Sequence, residues 1–248
     1  MRVAILGAGA IGLASAALLC QRGHQAVLWA PSGRALPPGP LLATGAITGT
    51  FQPLVAAGCA EALAGAEAVL IAVPGYGHRA VIEAAAPHLR AGQTVLFSSH
   101  MSFSALYLRQ LCPLATIAAW GTTVVTGRRG DGMAVWVTNI RSQVDVAVLP
   151  AGEAAAALAL CTELFGDRFV DRGSLLAIAL SNLNPQNHLA IALCNLTRME
   201  KGEAWRQYAN TTEAVGRLME ALDAERLALA AAAGVRVRTL HEHFRLSF

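Results

Sequence analysis

Carboxylate side chains are missing from the start of this 248-residue chain, in which no aspartate or glutamate precedes Glu61. Lysine is nearly missing too, since Lys201 is the single lysine among 19 basic residues. No uninterrupted apolar run approaches the roughly 18 residues that a membrane-spanning helix requires. Hydrophobic residues still make up 54% of the chain, which is ample material for a core. We therefore expect a soluble protein with no membrane partner.

Cysteine pairs and basic clusters are absent as well. The five cysteines lie far apart without a C-x-x-C pair, so we expect reduced thiols in the core and no metal site. The net charge is only +3 and the basic residues are scattered, which argues against a nucleic-acid partner. The first apolar segment begins at residue 3 and leaves no room for a signal peptide, so we expect a cytoplasmic protein.

What the sequence does have, at its start, is an apolar run that leads directly into a glycine-rich turn. Val3-Ala-Ile-Leu6 is followed by Gly7-Ala-Gly9-Ala-Ile-Gly12, which has G-x-G-x-x-G spacing. In a βαβ unit the first glycine permits a tight turn, the second lets the backbone approach a pyrophosphate, and the third lets the helix pack closely on the strand. Backbone N–H groups near Ala10 and Ile11 would then bind the phosphates.

The flanking segments distinguish a dinucleotide site from a glycine-rich turn that binds nothing. Apolar residues recur at helical spacing up to Gly23, and residues 25–29 have the pattern of a second strand. This complete strand–helix–strand context favours a dinucleotide site.

The choice of nucleotide depends on the tip of the second predicted strand. An NAD-binding chain usually offers a carboxylate to the ribose 2′-OH at this point. Here the tip reads Ala30-Pro-Ser32-Gly-Arg34, and a hydroxyl with a guanidinium suits a 2′-phosphate instead. We therefore predict NADP(H) rather than NAD(H), bound in part by Ser32 and Arg34. The alternative for Arg34 is a solvated loop charge.

Strands alternate with helices through most of the chain. Residues 31–53 are too rich in proline and glycine to assign. The predicted strands then lie at 53–56, 68–73, 93–98, 115–120, 133–138 and 144–149, and the predicted helices at 59–65, 77–90, 102–112 and 152–165. This order indicates an α/β fold with a doubly wound parallel sheet, which the last two strands are expected to extend.

From residue 174 to residue 232 the pattern is almost wholly helical. We therefore predict a Rossmann domain at 1–172 that binds NADP(H), followed by an α-helical domain at 173–248 that binds the substrate.

Ligands of doubly wound sheets bind beyond the carboxyl ends of the strands, so the residues that follow each strand are candidates for the site. These residues are Val73, Pro74 and His78, then Ser98, Ser99 and His100, and finally Thr122 and Thr123. We expect them to converge on one cleft, with Val73, Pro74 and His78 contacting the cofactor. For each of the two histidines, a local hydrogen bond in a turn or at a helix start is an equal alternative.

Polar side chains crowd into the start of the helical region, where residues 181–188 read Ser-Asn-Leu-Asn-Pro-Gln-Asn-His. Such side chains are costly to bury unless each finds a hydrogen-bond partner, and a polar substrate supplies partners. His188 is also suited to transferring a proton near neutral pH. A structural histidine at a helix start is the alternative.

Taken in order, these motifs resemble the octopine/nopaline (opine) dehydrogenase family. The resemblance rests on the Gly-Ala-Gly-Ala-Ile-Gly turn, on Val73-Pro74 followed by His78, and on the N-x-N-P-x-x-H string that ends at His188. Asp223-Ala-Glu225-Arg226 and Gly234-Val235 resemble the helical domain of the same family. The resemblance covers essentially the whole chain. It implies a second domain like the C-terminal domain of 6-phosphogluconate dehydrogenase, here incomplete.

The resemblance also implies an activity. Such an enzyme uses NADPH to condense an α-keto acid, pyruvate or 2-oxoglutarate, with the amine of an amino acid, giving a secondary-amine opine. His188 matches the catalytic histidine and would act as general acid, while Asn182 and Asn184 would orient the substrate. The side chains assigned to the substrate carboxylates are those of Thr122, Thr123, Arg198 and Tyr208. A homodimer and a place in the opine-metallophore branch, with a metallophore precursor as the amine, are further expectations.

The chain departs from the family at two points. Leu189 stands where a proline usually follows the histidine, and the family continues beyond the position that Phe248 matches. That continuation carries the aspartate that pairs with the catalytic histidine, so the chain looks short at its C-terminus.

Two other functions remain open. A ketopantoate reductase-like or other NADP-dependent 2-keto acid reductase generally uses a catalytic lysine, for which Lys201 is the single candidate. A non-catalytic NADP(H)-binding sensor would need no such residue.

Overall fold

The chain divides into two compact units, residues 1–178 and 179–248. The pattern of the sequence predicts a division after residue 172. This computed structural model describes residues 1–32, 36–99 and 103–247, with side chains described up to residue 245.

The first unit is built on an eight-stranded sheet with the order β12-β11-β8-β7-β6-β1-β2-β5. Its strands are β1 Arg2–Leu6, β2 Gln25–Trp29, β5 Leu54–Val55, β6 Ala68–Ile71, β7 Thr94–Phe97, β8 Thr116–Trp120, β11 Val144–Leu149 and β12 Phe169–Asp171. Every neighbouring pair of strands is parallel except the pair of β11 and β8, which is antiparallel. The predicted α/β fold with a doubly wound sheet and a helical C-terminal region is confirmed.

Helices cover both faces of this sheet. They are α1 Ala10–Gln21, α2 Cys59–Leu63, α3 His78–Ala85, α4 Ser104–Leu111 and α5 Ala154–Phe165, and α6 Leu175–Leu180 follows β12. Alternate residues of β1 belong to different hydrophobic clusters, Val3 and Ile5 to one and Ala4 and Leu6 to the other. Because side chains alternate across a strand, two separate cores lie on the two faces of the sheet.

A second sheet of four strands, in the order β4-β3-β10-β9, was not foreseen. It consists of β3 Leu41–Gly45, β4 Gly49–Phe51, β9 Val125–Arg129 and β10 Ala134–Ile140. Residues 31–53, which the sequence pattern did not assign, contain two of these strands. The prediction that the strand at 133–138 extends the main sheet was wrong, because that strand joins the second sheet. The strand predicted at 144–149 does join the main sheet, as β11.

The second sheet explains why α1 carries no charged residue. Every residue from Gly12 to Leu19 is buried, because Leu41, Ala43, Val135 and Val137 of the second sheet share one hydrophobic cluster with this helix and with β1. A helix that is apolar all round must be buried all round.

The second unit is helical. After α6 a π-helical turn, Pro185–Leu189, leads into α7 Ala190–Cys194 and α8 Leu196–Glu200, and then come α9 Glu213–Ala232 and α10 Leu240–Ser247. Leu183, Ile191, Val215, Met219 and Leu240 form its core. Among the described residues, no helix combines the length and the apolarity needed to cross a membrane.

Candidate functional site

The three glycines of the first turn have three different environments. Gly7 has φ +133°, and a Cβ there would lie 2.3 Å from the carbonyl oxygen of Ala72. A Cβ on Gly12 would lie 1.9 Å from the carbonyl oxygen of Gly7, so the helix touches the turn. A Cβ on Gly9 would meet nothing within 4 Å. Gly7 and Gly12 are therefore required by packing, whereas Gly9 leaves open space in front of the backbone.

The start of helix α1 is suited to bind an anion. Gly9 is its N-cap, no side chain caps it, and its first turn contains no acidic residue. The first helical hydrogen bond runs from Leu13 N to Gly9 O at 2.9 Å, so the N–H groups of Ala10 and Ile11 precede the helical hydrogen-bond ladder. These donors and the positive end of the helix dipole favour a bound phosphate.

An arginine of the second sheet, which the sequence analysis did not single out, contacts this turn. Arg129 Nη1 donates to the carbonyl oxygen of Ala8 at 3.0 Å, and its Nη2 lies 3.5 Å from Gly132 O. Arg129 and Ala8 are far apart in sequence and meet only because the second sheet packs on α1. The feature of the sequence that could have indicated this contact is the pair Arg128-Arg129, which stands between two glycines.

The two residues predicted to select the nucleotide lie after β2. Ser32 is exposed in a turn. Arg34 lies outside the described residues, so its role stays a prediction.

His78 lies after β6 and is buried, with both ring nitrogens engaged. Its Nδ1 lies 2.7 Å from Ser104 Oγ, and its Nε2 lies 3.1 Å from the carbonyl oxygen of Val73. Because a carbonyl can only accept, Nε2 carries the proton and Nδ1 accepts from the serine hydroxyl. Burial lowers the pKa of His78, which keeps the ring neutral. His78 thus holds the loop that contains Val73 and the exposed Pro74 against α4.

The other strand ends contribute polar side chains as well. Ser98 is buried directly after β7, and no group of the described residues forms a hydrogen bond with its Oγ. Ser99 has φ +73°, which marks a sharp change of direction, and His100 lies outside the described residues. Thr122 and Thr123 are half-buried after β8.

In the second unit, the asparagine-rich segment forms the π-helical turn. Asn182 Oδ1 accepts from the backbone N of Asn184 at 3.1 Å, which fixes the entry of the chain into that turn. Within the turn Gln186 and Asn187 are buried, and the Oδ1 of Asn187 has no partner among the described residues. The segment therefore has the crowded polar character that the sequence predicted, and its amides largely serve local structure.

His188 is half-buried and has a defined partner. Gln207 Nε2 donates to His188 Nδ1 at 2.7 Å, and the rings of His188 and Tyr208 lie 6.1 Å apart. Arg198 is engaged with Glu203 at 2.8 Å and with Asn210. The structure thus brings His188 and Tyr208 together, and it adds Gln207, which the sequence analysis missed because Gln207 lies in an irregular stretch.

A buried ion pair supports this region. Arg226 Nε and Nη2 donate to Asp223 Oδ1 at 2.9 Å and 2.7 Å, and both side chains are buried. When the Gln186 amide is oriented with its oxygen accepting from Arg226 Nε at 3.3 Å, the amide nitrogen of Gln186 donates to the carbonyl oxygens of Leu183 and Asn182. The pair therefore anchors the π-helical turn that bears His188.

Two family models match different parts of the chain. The model described as NAD/NADP octopine/nopaline dehydrogenase, alpha-helical domain, matches residues 171–248. The model described as ketopantoate reductase PanE/ApbA matches residues 3–138.

Individual proteins agree with these matches. An opine dehydrogenase from Arthrobacter sp. (strain 1C) is 29% identical over 99% of this chain and 71% of its own length. An octopine dehydrogenase solved with NADH and pyruvate has a TM-score of 0.72 at 14% identity, covering 93% of this chain and 65% of its own. A PanE/ApbA family ketopantoate reductase from Ralstonia eutropha JMP134 has a TM-score of 0.68 at 22% identity, and the match covers 96% of this chain and 76% of the reductase. This chain thus spans less than two thirds of the solved octopine dehydrogenase, and the two structures show a shared fold.

Proposed function

Because the chain belongs to the opine dehydrogenase family, with a first unit of the ketopantoate reductase PanE/ApbA family, we propose that it is an opine dehydrogenase-type oxidoreductase. It condenses an α-keto acid, pyruvate or 2-oxoglutarate, with the amine of an amino acid or a metallophore precursor and reduces the product to a secondary amine. The observation that carries this proposal is His188, held by Gln207 in the segment that matches the octopine/nopaline helical domain.

The first unit fits a nicotinamide dinucleotide. Open space at Gly9, uncapped N–H groups at Ala10 and Ile11, and the close contact at Gly12 match the needs of a pyrophosphate at a helix start. Val73 and Pro74, at the end of β6, line the same edge of the sheet. When bound, the dinucleotide supplies the hydride that reduces the substrate.

We propose NADP(H) as the preferred form. No carboxylate precedes Glu61 to hydrogen-bond the ribose 2′-OH, and Ser32 and Arg34 offer a hydroxyl and a guanidinium to a 2′-phosphate. The solved octopine dehydrogenase is described with NADH, so this preference is a property of the present chain that fluorescence titration can test. Tighter binding of NADH than of NADPH would overturn it.

His188 is the proposed general acid. With the amide nitrogen of Gln207 donating to Nδ1, the ring proton resides on Nε2. That N–H is positioned to donate its proton to the keto oxygen as the amine attacks. The proton that the amine nitrogen loses on forming the C–N bond returns to the ring, which donates it again when water leaves and the imine forms. Fixing the tautomer is therefore the contribution of Gln207 to the chemistry.

Other polar residues are proposed to bind the substrate. Tyr208 lies beside His188 and presents a hydroxyl, while Asn182 shapes the turn and the exposed Asn184 is free to face a ligand. Thr122 and Thr123 are the proposed carboxylate contacts of the first unit. Arg198 would keep Glu203 as its partner while it contacts a second carboxylate.

The test is product formation. The protein is incubated with NADPH, pyruvate or 2-oxoglutarate and a pool of amino acids, and secondary-amine dicarboxylates are detected by mass spectrometry. We expect product from the wild type, and from His188→Ala a yield lower by roughly a hundredfold with unchanged NADPH affinity. An unchanged yield from His188→Ala would refute the assignment of the acid.

A ketopantoate reductase-like reaction is the second candidate, because the PanE/ApbA model matches residues 3–138. Its catalytic lysine would be Lys201, which follows α8 as an exposed helix cap. Oxidation of NADPH by a 2-keto acid without any amine, abolished by Lys201→Ala, would favour this candidate.

A further inference from the structure

We propose that Arg129 binds the pyrophosphate of the nicotinamide cofactor, as a cation delivered to the glycine-rich turn by the second sheet. This inference rests on the proposed function only in requiring that the first unit binds a dinucleotide. It does not depend on the substrate or on His188.

The second sheet fixes the position of the guanidinium. Arg129 pairs with Val135 on β10, and the neighbouring Arg128 pairs with Trp136. Directly opposed residues of an antiparallel pair lie on the same face of the sheet. Val135 is buried in the cluster that contains α1, whereas Trp136 is 52% exposed. Arg129 therefore belongs to the face that packs on α1, and Arg128 belongs to the opposite face.

The contact with Ala8 places the cation at the centre of the turn. Ala8 separates Gly7 from Gly9, and its carbonyl oxygen accepts from Arg129 Nη1 at 3.0 Å. This bond and the one to Gly132 use two of the five N–H donors of a guanidinium. Donors therefore remain for a ligand that approaches the open side of Gly9.

Charge is the second argument. No ion pair joins Arg129 to a carboxylate within the described ranges, and α1 has no acid in its first turn. A cation beside the positive end of a helix is unfavourable by itself, because the two positive charges repel each other. An anion bound between them removes this repulsion and gains charge-assisted hydrogen bonds from both.

The geometry favours the pyrophosphate over the 2′-phosphate. The second glycine of such a turn is where the backbone approaches the pyrophosphate, and Arg129 contacts the residue directly before it. The 2′-phosphate belongs to the tip of β2, at Ser32. Arg129 should therefore act equally on NADPH and NADH, which share the pyrophosphate.

The test compares Arg129→Gln with Arg128→Gln, a matched control on the same strand and the opposite face. Dissociation constants for NADPH and NADH are measured by fluorescence titration of the full chain without keto acid or amine, with thermal melts to verify folding. We expect Arg129→Gln to weaken both cofactors by the same factor, about tenfold or more, and to flatten the salt dependence of binding. Arg128→Gln should stay within about twofold of the wild type, and Arg129→Lys should recover part of the affinity.

Each other outcome has a defined meaning. Equal affinities of Arg129→Gln and wild type overturn the inference and leave the proposed function standing. A loss of affinity confined to NADPH would assign Arg129 to the 2′-phosphate and would likewise overturn the inference. Equal losses of affinity in Arg129→Gln and Arg128→Gln would overturn it too. A wild type that binds neither cofactor would overturn this inference together with the proposed function.

Discussion

Removing the Asp223 carboxylate should destabilise the second unit more than any surface substitution. Asp223 Oδ1 accepts from Arg226, and its Oδ2 accepts from the backbone N of Leu240 at 2.8 Å. Arg226 in turn donates to the carbonyl oxygens of Leu180 and Arg238. Two side chains thus tie the end of α6 and the start of α10 to α9.

The magnitude follows from burial. Asp223 and Arg226 are 4% and 5% exposed, so Asp223→Ala leaves a buried guanidinium without its counter-charge. Breaking a buried pair in this way costs about 3–5 kcal/mol. The i,i+4 pair of Glu213 and Arg217 on the same helix is a matched control, since its atoms lie 3.7 Å apart and both side chains are mostly exposed. Glu213→Ala should cost at most about 1 kcal/mol, even with the loss of a carboxylate from the first turn of α9.

The assay is urea unfolding followed by circular dichroism, together with hydrogen exchange resolved to peptides. Asp223→Ala should lower the free energy of unfolding and increase exchange in the segments that begin at Leu180 and Leu240. The double variant Asp223→Ala/Arg226→Leu should recover much of the loss, because no charge is left buried. A loss below about 1 kcal/mol for Asp223→Ala, or a double variant less stable than either single one, would refute this reasoning.

Three further predictions concern the glycine-rich turn, the contact of Gln207 with His188, and the buried His78. Gly12→Ala should lower the Tm and abolish NADPH binding, because its Cβ would lie 1.9 Å from the carbonyl oxygen of the first glycine, whereas Gly9→Ala should melt like the wild type and lose only NADPH affinity in titrations. Gln207→Glu should lower kcat by at least about tenfold at unchanged Tm, since a carboxylate can only accept from Nδ1 and so draws the ring proton away from Nε2, and an unchanged kcat would contradict a positioning role. Burial lowers the pKa of His78, so below the ordinary value of 6.5 the unfolded chain binds a proton that the folded chain does not. Urea unfolding should therefore show wild-type stability falling from pH 7.5 to pH 5.5, and His78→Gln should lose part of that dependence.

Local patterns were sufficient to predict the main sheet and the geometry of the glycine-rich turn. Short apolar runs such as 68–71 lie buried in a parallel sheet, and the spacing of Gly7 and Gly12 reflects the contact between these two residues within the turn. Such features depend on neighbours in sequence, which a pattern can capture. The N-cap at Gly9 and the left-handed Gly23 after α1 follow for the same reason.

Features that depend on distant pairing could not be predicted. Strand β3 alternates buried and exposed residues, but it pairs with β10 across a long sequence separation, and the glycines and prolines that flank it resemble a loop. Because that sheet was missed, the contact of Arg129 with Ala8 was missed too. Likewise, Gln207 reaches His188 from an irregular segment, where no periodicity indicates which side chain faces the imidazole.

The segment between β2 and β3 has a consequence for changing the cofactor. It leaves the main sheet at Trp29 and enters the second sheet at Leu41, so both of its ends are fixed by strand pairing. A single substitution at Ser32 would leave those anchors in place while removing the hydroxyl proposed to contact a 2′-phosphate. Such a change also leaves the pairing of β3 with β10, and of β10 with the strand that carries Arg129, unchanged. The proposed choice of nucleotide and the placement of Arg129 can therefore change independently of each other in this chain.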